Sequence, residues 1–179
     1  TWSWGCRHEG CTLKPRLWKT HPRRIAAAHE SLQDFEWLAD RKPDAWLFTD
    51  NETNTDRLYK QPNAAPWWKD AFHRYLIKGQ QDAISPHPAG TKTAAHFEFM
   101  VPPGKSVTIR CRLHAIKEDN GLSGFAQFDE TLAARIAESE EFYTEIIPNN
   151  ISDDERMICR QGYAGLLWTA EHAKEIGGD

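Results

Sequence analysis

Carboxylates, amides and aromatic side chains lie close together between residues 46 and 79 of this 179-residue chain. Residues 49–56 are eight consecutive polar residues, and they follow the apolar run at residues 46–48. Sugars are bound by amides and carboxylates that hydrogen-bond the hydroxyls and by tryptophan faces that pack on the ring. The segment therefore favours a carbohydrate ligand. The residues that we predict to contact it are Asp50, Asn51, Glu52, Asn54, Trp67, Asp70 and His73.

An ordinary surface loop beside a tryptophan-rich core is the competing interpretation of the same segment. Hydrolysis of a glycoside requires two carboxyl groups across the sugar, one as the acid and one as the base or nucleophile. Four carboxylates are available near the aromatic residues, and nothing in their spacing selects a pair. These are Asp50, Glu52, Asp56 and Asp70. We therefore predict sugar contact and assign no catalytic residue.

Cysteine and histidine residues suggest metal or thiol chemistry at two places. Cys6, His8 and Cys11 are of types that bind zinc, but structural zinc sites pair ligands two to four residues apart with a second such pair. We interpret Cys111 and Cys159 as core thiols, although folding could bring a histidine beside either of them. Phosphate-binding glycine loops and nucleophile-elbow sequences are absent from the chain. We expect no metal and no cofactor.

The overall composition indicates a globular protein. Hydrophobic residues make up 40% of the chain, charged residues 27%, and the formal net charge is −4. This charge gives no reason to expect nucleic acid or an anionic membrane as partner, and the basic residues at 14–24 are interpreted as a solvated face. No apolar run approaches the ~20 residues of a membrane span, and no signal-peptide pattern is present. Four scattered cysteines indicate reduced thiols, so we predict a cytoplasmic protein.

The elements that must position the candidate residues are predicted to be β-rich up to residue 125. Residues 24–29, 34–38 and 44–49 have strand patterns, although the alanines within residues 24–29 would equally suit a helix. Residues 93–101 and 106–115 flank a Pro-Pro-Gly turn signal, which predicts an antiparallel hairpin. A short helix is predicted within residues 67–78.

From residue 126 the apolar residues follow a helical period. Asp129 is predicted to cap the first helix, and Ser152 with Glu155 forms a capping box at the start of the second. Gly162 and Gly165 inside the second helix predict close packing against another element. The predicted fold class is α+β, an antiparallel β-sandwich segment followed by two α-helices.

Several stretches resemble a group of large bacterial proteins that are similar to glycoside hydrolase family 63, the mannosyl-oligosaccharide glucosidase type. The stretches are LFTDNETN at 47–54, KDAFH at 69–73, GTKTAAH at 90–96 and QGYAGLLW at 161–168. In that family a β-sandwich domain precedes an (α/α)6 barrel that carries the inverting acid and base. The resemblance implies that residues 1–125 are a β-sandwich segment. It implies that residues 126–179 are a helical linker and the first helix of a truncated barrel.

The resemblance also implies a function. The chain would be a non-catalytic segment of an inverting, glucosidase-like glycoside hydrolase that supports the catalytic barrel and contacts sugar, with the catalytic carboxylates beyond Asp179. Its partners would be a glucoside or oligosaccharide and the remainder of the larger glycosidase chain, without a cofactor. The alternatives are a free-standing carbohydrate-binding module and a protein-interaction domain whose Trp2, Trp4 and Trp168 cover a partner.

Overall fold

The computed structural model describes residues 14–29, 32–118 and 124–176, which form two compact units. The described residues up to Phe125 belong to the first unit and those from Ala126 onward to the second. The predictions made for the aromatic and metal-binding types near the start of the chain fall outside the described residues. These are Trp2, Trp4, Cys6, His8 and Cys11.

The first unit contains two antiparallel sheets, and with its helices and those of the second unit it gives the predicted α+β fold. Five strands pair in the order β5-β1-β2-β3-β7, and β4 pairs with β6. The bounds of the strands are β1 Arg16–His21, β2 Arg24–His29, β3 Leu32–Ala39, β4 Ala45–Thr49, β5 Ala89–Gly90, β6 Lys92–His96 and β7 Cys111–Ala115.

Three predicted strands are confirmed, since β2, β3 and β4 cover residues 24–29, 34–38 and 45–49. Strand β1 was not predicted. Its side chains are mostly exposed, in agreement with the solvated basic face expected there, and an exposed strand has little apolar alternation to reveal it.

Strand β4 carries three of the four largest fully buried side chains among the described residues. Leu47, Phe48 and Thr49 are each 1% exposed, and burial of a side chain the size of leucine or phenylalanine contributes about 1.5–3 kcal/mol. The rings of Trp37 in β3 and Trp46 in β4 meet edge to face, with centroids 5.1 Å apart. This contact joins the two sheets around the apolar core.

The predicted hairpin between residues 93–101 and 106–115 is wrong. Strand β6 pairs with β4, from Ala45 opposite His96 to Thr49 opposite Lys92, whereas β7 pairs with β3. Residues 97–110 lie outside the strands. Prolines at 102 and 103 have no N–H to donate to a strand ladder, and β3 and β4 offer buried apolar side chains that a local hairpin would lack.

Two helices and two 3₁₀ turns, at Gln81–Ala83 and Ile116–Glu118, complete the described part of the first unit. Helix α1 (Thr55–Tyr59) follows the polar loop, and α2 (Ala71–Lys78) confirms the helix predicted within residues 67–78. Gly79 ends α2 in the left-handed conformation with φ +66°. The 3₁₀ turn at Gln81–Ala83 follows directly.

The second unit consists of α3 (Phe128–Ile146) and α4 (Asp153–Ile176). The predicted cap is wrong, because Gln127 occupies the N-cap and Asp129 lies in the first turn. The negative charge of Asp129 still suits the positive end of the helix dipole there. Within the described residues, every helix falls short of the length and apolarity that crossing a membrane requires.

The capping box of α4 is confirmed. Ser152 N donates to Glu155 Oε2 at 2.8 Å, and Glu155 N donates to Ser152 Oγ at 3.3 Å. The close packing predicted at Gly162 and Gly165 is wrong for the described chain, since a Cβ at either position would have no atom within 4 Å. The glycine pattern alone could not distinguish close packing from an open surface.

Candidate functional site

The polar loop at residues 49–56 begins where β4 ends and is bonded to the segment that precedes α2. Asp50 N donates to Trp67 O at 3.2 Å, and Lys69 N donates to Glu52 O at 3.0 Å. These main-chain bonds place the loop beside the paired tryptophans at 67 and 68. The structure thus brings together two stretches that the sequence singled out separately.

Thr91 holds the first residues of the loop. Its hydroxyl accepts from Asn51 N at 2.7 Å and lies 3.4 Å from Asp50 Oδ1, and its N–H donates to Thr49 O at 3.1 Å. The preceding Gly90 passes so close that a Cβ there would lie 2.6 Å from Thr49 O. Asp50 and Asn51 are therefore joined through a threonine that the sequence did not single out.

Asn54 and Asp70 form the centre of a polar network. Asn54 Oδ1 accepts from Arg57 N at 3.1 Å, so Asn54 caps α1. Asn54 Nδ2 lies 3.4 Å from both carboxylate oxygens of Asp70, and Arg57 Nη1 lies 3.0 Å from Asp70 Oδ2. Asn63 Nδ2 lies 3.4 Å from Asn54 Oδ1. The network connects α1 to the start of α2.

Glu52 forms an ion pair with Lys14 at the surface, where such pairs contribute about 0–1 kcal/mol. Asp50 and Asp70 have the partners described above, so three of the four candidate carboxylates take part in contacts that hold the loop. The fourth, Asp56, is exposed in the first turn of α1. The arrangement gives these carboxylates a role in loop structure.

Trp67 and His73 occupy different surroundings from the network. His73 is exposed on α2, and within the described residues no hydrogen bond or ion pair joins it to the other six candidates. Trp67 is half-buried and lines an open cleft of about 370 Å³. The other residues that line the cleft are Tyr75, Gln81, Asp82, Ile84, Ser85 and Pro86.

The other lining residues of this cleft were missed from the sequence. The available signal was weak, namely that Tyr75 and Asp82 follow Trp67 within a short stretch of chain that contains the predicted helix. Trp68 differs from its neighbour, because its Nε1 donates to Ala65 O at 2.6 Å and the Arg74 guanidinium lies 5.3 Å from its ring centre. Of the two tryptophans, the structure therefore uses Trp68 for internal contacts and places Trp67 at the cleft.

Thiol chemistry receives no support from the described cysteines. Cys111 is exposed on β7, so its interpretation as a core thiol is wrong, and Cys159 is half-buried. Partial desolvation of the sulfur and the nearby Asp40 carboxylate raise the pKa of Cys111, which disfavours the reactive thiolate. Among the residues that the structure describes, no group of three or more histidine, cysteine or acidic side chains is arranged to hold a metal ion.

Comparison with known proteins finds similarity to a much longer sequence. The chain is 38% identical over 134 residues to uncharacterized protein YMR196W of Saccharomyces cerevisiae. The aligned part covers 70% of this chain and 12% of the yeast protein. No protein-family model and no solved structure matches the chain. The chain is thus similar to a segment of a longer yeast protein whose name assigns no activity.

Proposed function

We propose that this chain is a non-catalytic segment of a larger, glucosidase-like glycoside hydrolase of the inverting type. In this proposal the second unit packs against a catalytic helical barrel, and the first unit contacts sugar. The observation that carries the proposal is the apolar surface that α3 and α4 leave exposed. On α4 the large apolar side chains with the highest exposed fractions are Ile158, Leu166 and Trp168, at 68%, 67% and 77%.

The apolar residues of α4 occur on more than one side of the helix. At 3.6 residues per turn, Met157 and Trp168 fall on one side, and Leu166 falls on nearly the opposite side. Large apolar side chains left exposed on opposite sides of one helix indicate a surface that further protein covers. Helix α3 adds exposed Leu132, Ile136 and Phe142. These faces support the expectation that further helices cover the second unit.

Other observations support the proposal that this chain is one segment of a larger enzyme. The alignment covers a small part of the longer yeast relative, and the stretches at 47–54 and 161–168 resemble family 63-like glycosidases. The polar loop is held by hydrogen bonds to Trp67, Thr91 and Asp70, which suits a supporting role for its polar side chains. Cys111 and Cys159 are free thiols, which supports the further proposal of a cytoplasmic location.

A protein-interaction domain is the second candidate, and the same exposed helical faces favour it. In that case the apolar faces would bind a separate protein and sugar would have no effect. A free-standing carbohydrate-binding module is the remaining alternative, favoured by the cleft beside Trp67. Sugar binding and the association of the exposed helical faces therefore have to be measured separately.

Light scattering and hydrophobic-dye binding on the 179-residue chain test whether the apolar faces of α3 and α4 need a covering partner. We expect self-association and dye binding, because exposed apolar faces associate when their partner is missing. The double variant Leu166→Gln/Trp168→Gln should reduce both signals. Met100→Gln is the matched control, since Met100 is 96% exposed and lies in the other unit. A monomeric chain that binds no dye would contradict the proposal.

Sugar contact is tested in the full-length protein with the double variant Asp50→Ala/Glu52→Ala. We expect weaker sugar affinity or slower hydrolysis of glucosides, with the hydrolytic activity itself residing outside residues 1–179. Unchanged turnover and affinity would contradict the sugar-contact part of the proposal. Hydrolysis of glucosides by the 179-residue chain alone would contradict its non-catalytic part.

A further inference from the structure

We propose that the cleft lined by Trp67, Tyr75 and Asp82 is a binding site for one or two neutral pyranose rings. The inference rests on the proposed function in taking sugar as the ligand. The two proposals differ in the location of the principal sugar contact. The proposed function places it at the polar loop of residues 49–56, and this inference places it in the cleft.

The size of the cleft suits a small ligand. Its volume of about 370 Å³ lies near the lower end of the roughly 300–1,000 Å³ common for small-molecule sites. Ile84 and Pro86 contribute apolar surface, and Trp67 and Tyr75 contribute aromatic rings. Sugars present apolar C–H faces to such rings while their hydroxyls point to polar groups.

The walls of the cleft are fixed to the buried end of β4. Ser85 N donates to Phe48 O at 2.8 Å, and Asp50 N donates to Trp67 O at 3.2 Å, so both walls are bonded to consecutive parts of one strand and its loop. Between them along the chain, Gly79 in its left-handed conformation ends α2 and leads into the 3₁₀ turn at Gln81–Ala83. A site whose walls are already held loses less conformational freedom on binding.

The polar groups of the cleft include several that the protein does not use. Within the described residues, the indole N–H of Trp67, the hydroxyl of Tyr75 and the carboxylate of Asp82 have no hydrogen-bond partner. By contrast, Ser85 Oγ donates to His87 O at 3.2 Å, and Gln81 Nε2 lies 3.5 Å from Gly79 O. One N–H donor, one hydroxyl and one acidic acceptor beside aromatic surface match the needs of a polyhydroxylated ring.

The charge of the cleft narrows the ligand class further. Asp82 is its acidic residue, and no lysine, arginine or histidine lines it. A phosphate or a carboxylated sugar would therefore meet a like charge without a compensating base. A cation would suit an aromatic ring and a carboxylate, but it would leave the Trp67 N–H and the Tyr75 hydroxyl without a role as donors. A neutral sugar uses all three groups.

The experiment is a calorimetric titration of the 179-residue chain with methyl α-glucoside and with maltose, which supply one ring and two rings. We expect saturable binding of at least one of them. Tyr75→Ala and Asp82→Asn should each weaken the affinity about tenfold, because each variant removes a group that pairs with a sugar hydroxyl or packs on the ring. Tyr59→Ala is the matched control, since Tyr59 is an exposed tyrosine that does not line the cleft.

Trp67→Phe is a milder variant of the same cleft, since it keeps an aromatic ring and removes only the N–H. It tests the cleft even if the Tyr75→Ala protein does not fold. Weaker sugar binding by Trp67→Phe and Asp82→Asn, with unchanged circular dichroism, supports the inference. Unaltered affinity in both variants overturns it. Binding of tetramethylammonium to the cleft in place of sugar overturns the assignment of the ligand class.

Two further outcomes separate this inference from the proposed function. Sugar binding that survives Tyr75→Ala and Asp82→Asn but is lost in Asp50→Ala/Glu52→Ala overturns the proposal of a sugar site in the cleft. It supports sugar contact by the loop. A chain that binds neither sugar also overturns the cleft, while self-association through α4 still supports the segment proposal. Each proposal can therefore fail without the other.

Discussion

Asn54 and Asp70 occupy the N-cap positions of two consecutive helices, and their side chains bond to each other. Asn54 Nδ2 lies 3.4 Å from both oxygens of Asp70, while Asn54 Oδ1 accepts from Arg57 N at 3.1 Å. Asp70 makes no side-chain cap bond to α2, because its carboxylate is directed to Asn54 and Arg57. One pair of polar residues thus joins the loop, α1 and the start of α2.

Replacing Asn54 by alanine should lower the free energy of unfolding of the first unit by about 1–2 kcal/mol. The variant loses the cap of α1 and leaves Asp70 without one of its donors. Urea unfolding followed by tryptophan fluorescence measures the effect. The neighbouring Thr53→Ala is the control and should change stability by less than about 0.5 kcal/mol. Equal shifts in the two variants would argue against a structural role for the pair.

Replacing Gly90 by alanine should destabilise the first unit by about 1–3 kcal/mol, as overpacking does elsewhere. The added Cβ would lie 2.6 Å from the main-chain oxygen of Thr49, which belongs to the buried strand β4. Gly79→Ala is a useful comparison, because Gly79 has open space but a φ of +66°. Its cost should be roughly 1 kcal/mol. Thermal unfolding that ranks Gly79→Ala as the more damaging change would contradict this account.

Replacing Gly162 or Gly165 by alanine should stabilise α4, by up to about 1 kcal/mol for each residue. Neither position has an atom within 4 Å of an added Cβ, so only the intrinsic helix preference changes. Far-ultraviolet circular dichroism of the chain should show higher helix content and a higher melting temperature. A loss of helix in these variants would instead reveal close packing at the glycines.

The stability of the second unit should fall in acid. Hydrogen bonds from the Ser152 N–H and then from its hydroxyl hold the pKa of Glu155 below its ordinary value of 4.5. Because the folded state holds the carboxylate more readily than the unfolded state, this stabilisation is fully present above about pH 4.5. It is lost as the pH falls through the lowered pKa of the folded state.

Carboxyl titration by nuclear magnetic resonance checks this pH dependence. Ser152→Ala should raise the pKa of Glu155 part of the way to 4.5, since the main-chain bond remains. Glu140 is the internal control, because its lowered pKa arises first from the hydrogen bond with Arg160. Ser152→Ala should leave that pKa unchanged, and Arg160→Ala should raise it. An unshifted Glu155 in Ser152→Ala would contradict the capping-box explanation.

Local signals predicted the elements whose causes lie within a few residues. Alternating side chains revealed β3, an apolar run revealed β4, and the pairing of Ser152 with Glu155 revealed the start of α4. The cap of α3 was misplaced, because Gln127 and Asp129 are close enough for either to begin a helix by pattern alone. The loop at residues 49–56 was recognised as polar, but its bonds to Thr91 and Asp70 involve residues distant along the chain.

The sequence by itself determined the α+β class, the apolar strand β4 and the polar character of the loop, because side-chain periodicity and composition are local properties. The tertiary structure alone decided that β6 pairs with β4 and not with a neighbouring hairpin partner, because strand pairing depends on which apolar faces become buried together. It also decided that Trp67 joins Tyr75 and Asp82 around one cleft. That cleft exists because main-chain bonds to Phe48 O and from Asp50 N hold two separate segments at the end of one strand.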